Sequence, residues 1–174
     1  MSFDEIVQRL RSRFGDQVTR SPPEAIDPWI EVPAQLLPNV ARFLRDEPDL
    51  HFNLLNCITG VDYEATDPKR KIEGRARVEL IYHLTSLTHR HRLVLKVVLP
   101  RWQGDVAGQL PEVPSLSGIW STANWHEREE FDLVGVRFVG HPDLRRILCP
   151  DDWEGHPLRK DYPMPLEYHG IRGR

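Results

Sequence analysis

Phe3, Ile6, Val7, Leu10 and Phe14 recur at the spacing of one helical face. Ser2 followed three residues later by Glu5 reads as a capping box, and Gly15 is a ready stop, so a helix is predicted over residues 3–14. Short strands are expected around Val18 and over Trp29–Val32, with the turn sequence Ser21-Pro22-Pro23 between them. A second helix begins near Leu36 or Pro38 and sets Val40, Phe43 and Leu44 on one face. It ends at Glu47, because Pro48 disfavours helix in the residue before it.

Beyond Pro48 the period of the pattern shortens to two. Over Ala76–Leu84, Val78, Leu80, Tyr82 and Leu84 alternate with Arg77, Glu79, Ile81 and His83. Phe52–Val61 and Leu93–Leu99 are the strands to set beside it, the latter as a hairpin through Thr85–Arg92. Residues 64–74 read as a loop, and so do residues 101–117 with Gly104, Gly108, Pro111 and Pro114. A third helix fits Trp120–Val134, stopped by Gly135. From Gly140 onward, five of the 15 prolines lie between Pro142 and Pro165, which forbids continuous helix or central strand. The prediction is an α+β chain, a two-layer mixed β-sheet with helices packed on it. Residues 1–139 form the core domain, and residues 140–174 an irregular, extended tail of the same domain.

The 174 residues, 40% hydrophobic and 28% charged, suffice for one domain with its own core. No apolar run approaches the roughly 18 residues that a bilayer requires. The acidic start Met1-Ser2-Phe3-Asp4-Glu5 lacks a basic-then-apolar signal pattern, so a mature cytoplasmic chain is expected. A net charge of −3 gives no drive toward nucleic acid, and Thr88-His89-Arg90-His91-Arg92 reads as a solvated hairpin tip. Cys57 and Cys149 make neither a disulfide framework nor a CxxC site, and cannot hold a cluster on four thiolates.

Two stretches could carry chemistry. In Asn124–Leu133, Glu127 shares a helical stripe with Trp120, Ala123, Phe131 and Val134, so its carboxylate must find a cationic or hydrogen-bonding mate. Arg128 and Asp132 stand four apart, a pair worth only about 0.3 kcal/mol if exposed. A catalytic reading pairs Glu127 with Glu130 or His126 as acid and base. A structural reading makes Glu127 and Arg128 anchors that tie the helix to the tail or to another protein. The second stretch is a doubled phrase, Gly140-His141-Pro142-Asp143-Leu144-Arg145-Arg146 and Gly155-His156-Pro157-Leu158-Arg159-Lys160-Asp161. A metal reading joins His141 and His156 with Cys149 or His126, at spacings that fit no compact ligand pattern. The simpler reading is two rigid turns presenting Arg145, Arg146, Arg159 and Lys160 to carboxylates, in an interface or within the chain.

The stretch Glu127-Arg128-Glu129, Asp132-Leu133, Gly135, Phe138 and Gly140 through Leu148 resembles the signature of a known family. It is that of the C subunit, the 30-kDa subunit, of proton-translocating NADH:quinone oxidoreductase, respiratory complex I. Asp152–Pro163 resembles the same family's C-terminal phrase, and the likeness is densest over Ser115–Pro163.

The resemblance implies a non-catalytic peripheral-arm subunit with no catalytic, cofactor or metal residues of its own. FMN, iron–sulfur clusters and quinone would belong to partner subunits, which carry electrons from NADH to quinone with proton translocation. The implied partner is the D subunit, the hydrogenase-large-subunit-like chain beside the quinone cavity, at the cytoplasmic side of the cell membrane. The signature residues it marks for docking or structure are Glu127, Arg128, Asp132, His141, Pro142, Arg145, Arg146, His156, Pro157, Arg159, Lys160 and Asp161. Arg159 and Lys160 are expected to meet acidic or carbonyl groups in that partner or in the chain's own helix. Two alternatives stand beside this reading. One is the equivalent subunit of a membrane-bound hydrogenase or ferredoxin-dependent dehydrogenase. The other is an independent small hydrolase or metal enzyme using Glu127, Glu130, His141 and His156.

Overall fold

The structure, a computed structural model, describes residues 1–65 and 75–173, so most of the predicted loop over residues 64–74 lies outside the described residues. Helix α1 spans Phe3–Phe14. Glu5 N donates to Ser2 Oγ at 3.3 Å while Glu5 Oε2 accepts from Ser2 N at 2.6 Å, the capping box expected. Helix α2, Leu37–Asp46, carries Pro38 in its first turn and stops at Glu47.

Five strands form one sheet: β1 (Thr19–Arg20), β2 (Ile30–Glu31), β3 (Leu54–Tyr63), β4 (Arg77–Ser86) and β5 (His91–Pro100). Their order is β1-β2-β5-β4-β3. β2 runs parallel to β5 and the other pairs are antiparallel, so the sheet is mixed. Val78, Leu80, Tyr82 and Leu84 oppose Leu99, Val97, Leu95 and Leu93 on the inner face, where all eight are buried. Ile6, Leu10, Leu37, Val40 and Leu44 close over them in a single core. Each such side chain contributes on the order of 1.5–3 kcal/mol through burial. Glu79, on the opposite face, lies between Arg77 at 2.7 Å and Lys96 at 2.9 Å.

Helix α3 spans Ala123–Leu133 and begins later than predicted. The turn before it is pulled onto the start of β3, because Trp120 Nε1 donates to Phe52 O at 2.8 Å and Thr122 Oγ1 to Leu55 O at 3.0 Å. Within the predicted loop 101–117, β6 (Glu112–Pro114) pairs in parallel with β7 (Arg137–Val139). Three-residue strands with a flanking proline leave no alternation to read. The tail carries one further hairpin, β8 (Glu167–Tyr168) with β9 (Ile171–Arg172), where irregular chain was expected. Upstream, from Gly140 to Tyr162, it folds back in successive turns against α3 instead of running extended. Among the described residues, no helix is long and apolar enough to cross a membrane.

Candidate functional site

A helix leaves its last carbonyls without intrahelical partners. At the end of α3 the tail supplies donors to three of them in succession and to the carbonyl of Gly135 just beyond. Asp132 O accepts from Arg146 Nη1 at 3.1 Å and from His156 Nδ1 at 3.0 Å, and Leu133 O accepts from Leu158 N at 2.9 Å. Val134 O and Gly135 O accept from Arg159 Nε at 2.7 Å and Nη2 at 3.1 Å. A third donor of the same guanidinium reaches Arg101 O at 2.9 Å, and its plane lies 3.9 Å from the Trp102 ring centre. Arg159 is buried, which lowers its pKa, but the negative end of the helix favours a cation here. The His156 ring packs against Gly135, whose φ of +76° and missing Cβ leave room for it.

The Asp132 side chain is the second half of this clasp. It is fully buried, and Oδ2 accepts from Ile147 N, Leu148 N and Cys149 N at 3.0, 2.7 and 2.9 Å. Oδ1 accepts from Arg146 Nη1 at 2.6 Å, and Nη2 of that arginine continues to Gly155 O. Burial alone would raise this carboxyl. The amides of Cys149 and Leu148, then Arg146 and the Ile147 amide, outweigh it and hold the pKa down at about 2. A second node lies beside it. Asp62 takes a two-pronged bond from Arg101 at 2.8 and 2.7 Å and the backbone N–H of Lys160 at 2.9 Å, while Arg101 Nη2 also meets Asp161 at 2.7 Å.

On the sheet side of α3 two more carboxyls are buried. Glu127 accepts from Ser115 Oγ at 2.5 Å and from Leu116 N at 2.6 Å, so its mates are hydrogen-bond donors and not a cation. Burial raises its pKa to about 7 against those two bonds. Glu130 fits over Gly60 of β3, where a Cβ would collide with its Oε2. Burial raises it to about 8, partly countered by the Gly60 N–H that lies against it. Glu130 Oε2 and Tyr82 Oη are buried without hydrogen-bond partners among the described residues. Thr122 at Leu55 and Glu130 at Gly60 cover part of the outer edge of β3, the last strand of the sheet, and Trp120 is anchored just before it at Phe52 O.

At the other end of α3, Arg128 lies 4.2 Å from the Trp125 ring centre, bonds Asn124 Oδ1 at 2.9 Å and sits 3.6 Å from Asp143. The expected Arg128–Asp132 pair does not form, since each side chain reaches a different part of the tail. His141, held before Pro142, contacts Asn124 O at 3.0 Å, and exposed Arg145 pairs with Asp143 at 3.0 Å.

The two histidines of the metal and hydrolase readings are not brought together. They bind carbonyls of Asn124 and Asp132, about 12 Å apart along the helix. Glu127 and Glu130 face the sheet between them. Among the described residues no group of His, Cys, Asp or Glu is arranged to hold a metal. Sequence reasoning missed Asp62, Arg101, Ser115 and Gly60, which complete the clasp and the buried acid pocket. Of these, only Asp62, an acidic residue in a mostly apolar strand, carried a signal.

A mixed five-stranded sheet with helices packed on it, whose charged C-terminal turns close onto the end of α3, defines a small α+β domain. Residues 30–168 match the family described as the 30-kDa subunit of respiratory-chain NADH dehydrogenase, and the chain belongs to that family. It is 46% identical over 162 residues to the C subunit of NADH-quinone oxidoreductase from Roseiflexus sp. (strain RS-1), covering 93% of this chain and 84% of that one. The corresponding C subunit from Chlorobium phaeobacteroides is 42% identical over 165 residues, covering 94% and 90%. Among solved structures, the trypsin-resistant fragment (1–134) of Nqo5 superposes with a TM-score of 0.60 at 25% identity, covering 83% of this chain and all of that one. A chain of the membrane-bound sulfane sulfur reductase, an archaeal respiratory membrane complex, gives 0.69 at 25% identity, covering 92% and 85%.

Proposed function

We propose that this chain is a non-catalytic peripheral-arm subunit of NADH:quinone oxidoreductase that docks against the D-type subunit. In that position it supports electron transfer from NADH to quinone coupled to proton translocation, while flavin, clusters and quinone reside on partner chains. It sits on the cytoplasmic side of the membrane and reaches the bilayer only through the complex. The observation that carries this reading is the division of labour around α3. Much of the charged signature is engaged within the chain and holds the tail against α3, while Trp125, Val139, Leu148, Leu158, Met164 and Leu166 remain exposed on or beside it. Rigid turns that present aromatic and aliphatic side chains are what an obligate neighbour needs. Co-expression with the D-type subunit tests it. The pair should elute together, and membranes lacking this chain should lose NADH-driven quinone reduction. Separate elution with unchanged reduction would refute the reading.

The likeness to a sulfane sulfur reductase chain favours a second reading, the same docking role in a related complex with another donor. Comparing quinone reduction driven by NADH with that driven by reduced ferredoxin separates the two.

A further inference from the structure

The tail beyond Cys149 lines a cavity of about 450 Å³ that is open to solvent and lies beside the clasp. Its walls are aromatic. The Trp153 and Tyr168 ring centres stand 5.1 Å apart at 54°, and Tyr162 closes a third side with Pro163 and Pro165. The walls are fixed by hydrogen bonds. Tyr168 Oη donates to Asp152 at 2.7 Å, His169 Nε2 meets the other oxygen of Asp152 at 2.8 Å, and Tyr162 Oη donates to Glu154 O at 2.9 Å. Trp153 Nε1 is buried with no acceptor among the described residues, so the packing on this side is incomplete.

The surroundings are acidic. The lining holds Asp152 and Glu154 and no lysine or arginine, with Asp151 next in sequence, while Asp161 is already paired with Arg101 and Glu167 stands opposite Arg172. Arg159 is already buried on carbonyls at the end of α3 and adds no surface charge to this mouth. Aromatic faces attract cations through their ring quadrupoles, and a carboxylate rim adds to that attraction.

We propose that this cavity receives a lysine or arginine side chain from the subunit against which the tail docks. The proposal rests on the docking role above and gives that interface its chemistry, a basic side chain of the neighbour held among Trp153, Tyr162 and Tyr168 and rimmed by Asp152 and Glu154.

The test uses the full chain purified with the D-type subunit, with p-benzoylphenylalanine at position 166, between two wall residues. Photolysis followed by mass spectrometry should capture a neighbouring segment that carries lysine or arginine at the point of attachment. Glu154→Lys, at an exposed position, and Trp153→Leu should each weaken association by about tenfold or more, and Glu154→Lys should flatten its salt dependence. Capture of a segment without a basic residue, of lipid, or of a second copy of this chain would overturn the proposal. So would wild-type association by both variants, which leaves the docking role standing. Failure of the unlabelled wild-type chain to associate would remove the docking role and the proposal together.

Discussion

Asp132 and Arg146 meet at 2.6 Å across the junction of α3 and the tail, with the carboxylate fully buried and three main-chain amides completing its shell. The two stand 14 positions apart in the chain, and the segment between them returns to the helix because this pair holds it there. Replacing Asp132 by Ala leaves three amides without their acceptor and takes the carboxylate from the half-buried Arg146 guanidinium, which keeps the carbonyls of residue 132 and Gly155. A loss of about 3–5 kcal/mol is expected, read as a lower urea midpoint with an unchanged slope.

The same carboxyl sets an acid limit. Its pKa of about 2 in the folded chain lies below the ordinary 3.8. Its contribution is complete above about pH 4 and is lost as pH falls through 2. The difference corresponds to about 2 kcal/mol. Urea midpoints at pH 5 and pH 2.5 should differ more for the wild type than for Asp132→Asn.

Glu130 acts in the opposite sense. Its pKa is raised to about 8 from 4.5, so the folded chain holds a proton that the unfolded chain releases. That contribution is full below about pH 4.5 and disappears as pH rises through 8. Glu127, at about 7, adds to the same trend. Stability should decline from pH 5 to pH 9, and Glu130→Gln should make the decline shallower. An equally steep decline in the variant would show that Glu130 is ionised in the folded chain.

Gly60 is required by space, since its backbone does not adopt the left-handed region that favours glycine. Gly60→Ala should cost about 1–3 kcal/mol by driving a methyl group into the Glu130 carboxyl. Trimming Glu130 to Ala in the same chain should recover part of that loss, a coupling measurable by a double-mutant cycle.

Arg159 links three carbonyls from two segments and stacks on Trp102. Arg159→Ala should therefore lower the melting temperature of the chain alone, by about 2–4 kcal/mol in stability. Arg159→Lys should recover little, because a point charge cannot reproduce the fork. Limited proteolysis should cut the variant between residues 140 and 160 faster than the wild type.

The sheet was legible because alternation at Val78, Leu80, Tyr82 and Leu84 leaves one face for the core, and α1 because its cap and its stop are both local. Glu127 was legible as a buried acid that needs a partner. Its partner was not, because Ser115 and Leu116 come from a proline-bounded loop that no periodicity places. Asp132 read as one half of a surface pair. Its actual mates are amides of residues 147–149, and main-chain donors leave no mark in a sequence. The doubled glycine–histidine–proline phrase does lie in turns, but nothing in it marks the helix end on which both close. Gly60 gave no warning either, since a glycine inside a strand has many causes.

The cover over the β3 edge has a consequence for synthesis. About 70 residues lie between the end of β3 and the end of α3. At ribosomal rates of about 5–20 residues per second, the strand waits about 4–14 s for the helix that shields it. During that interval the nascent sheet offers a ten-residue edge to any other extended chain. Translation speed between codons 64 and 133 is therefore a variable on which the soluble yield of this subunit should depend.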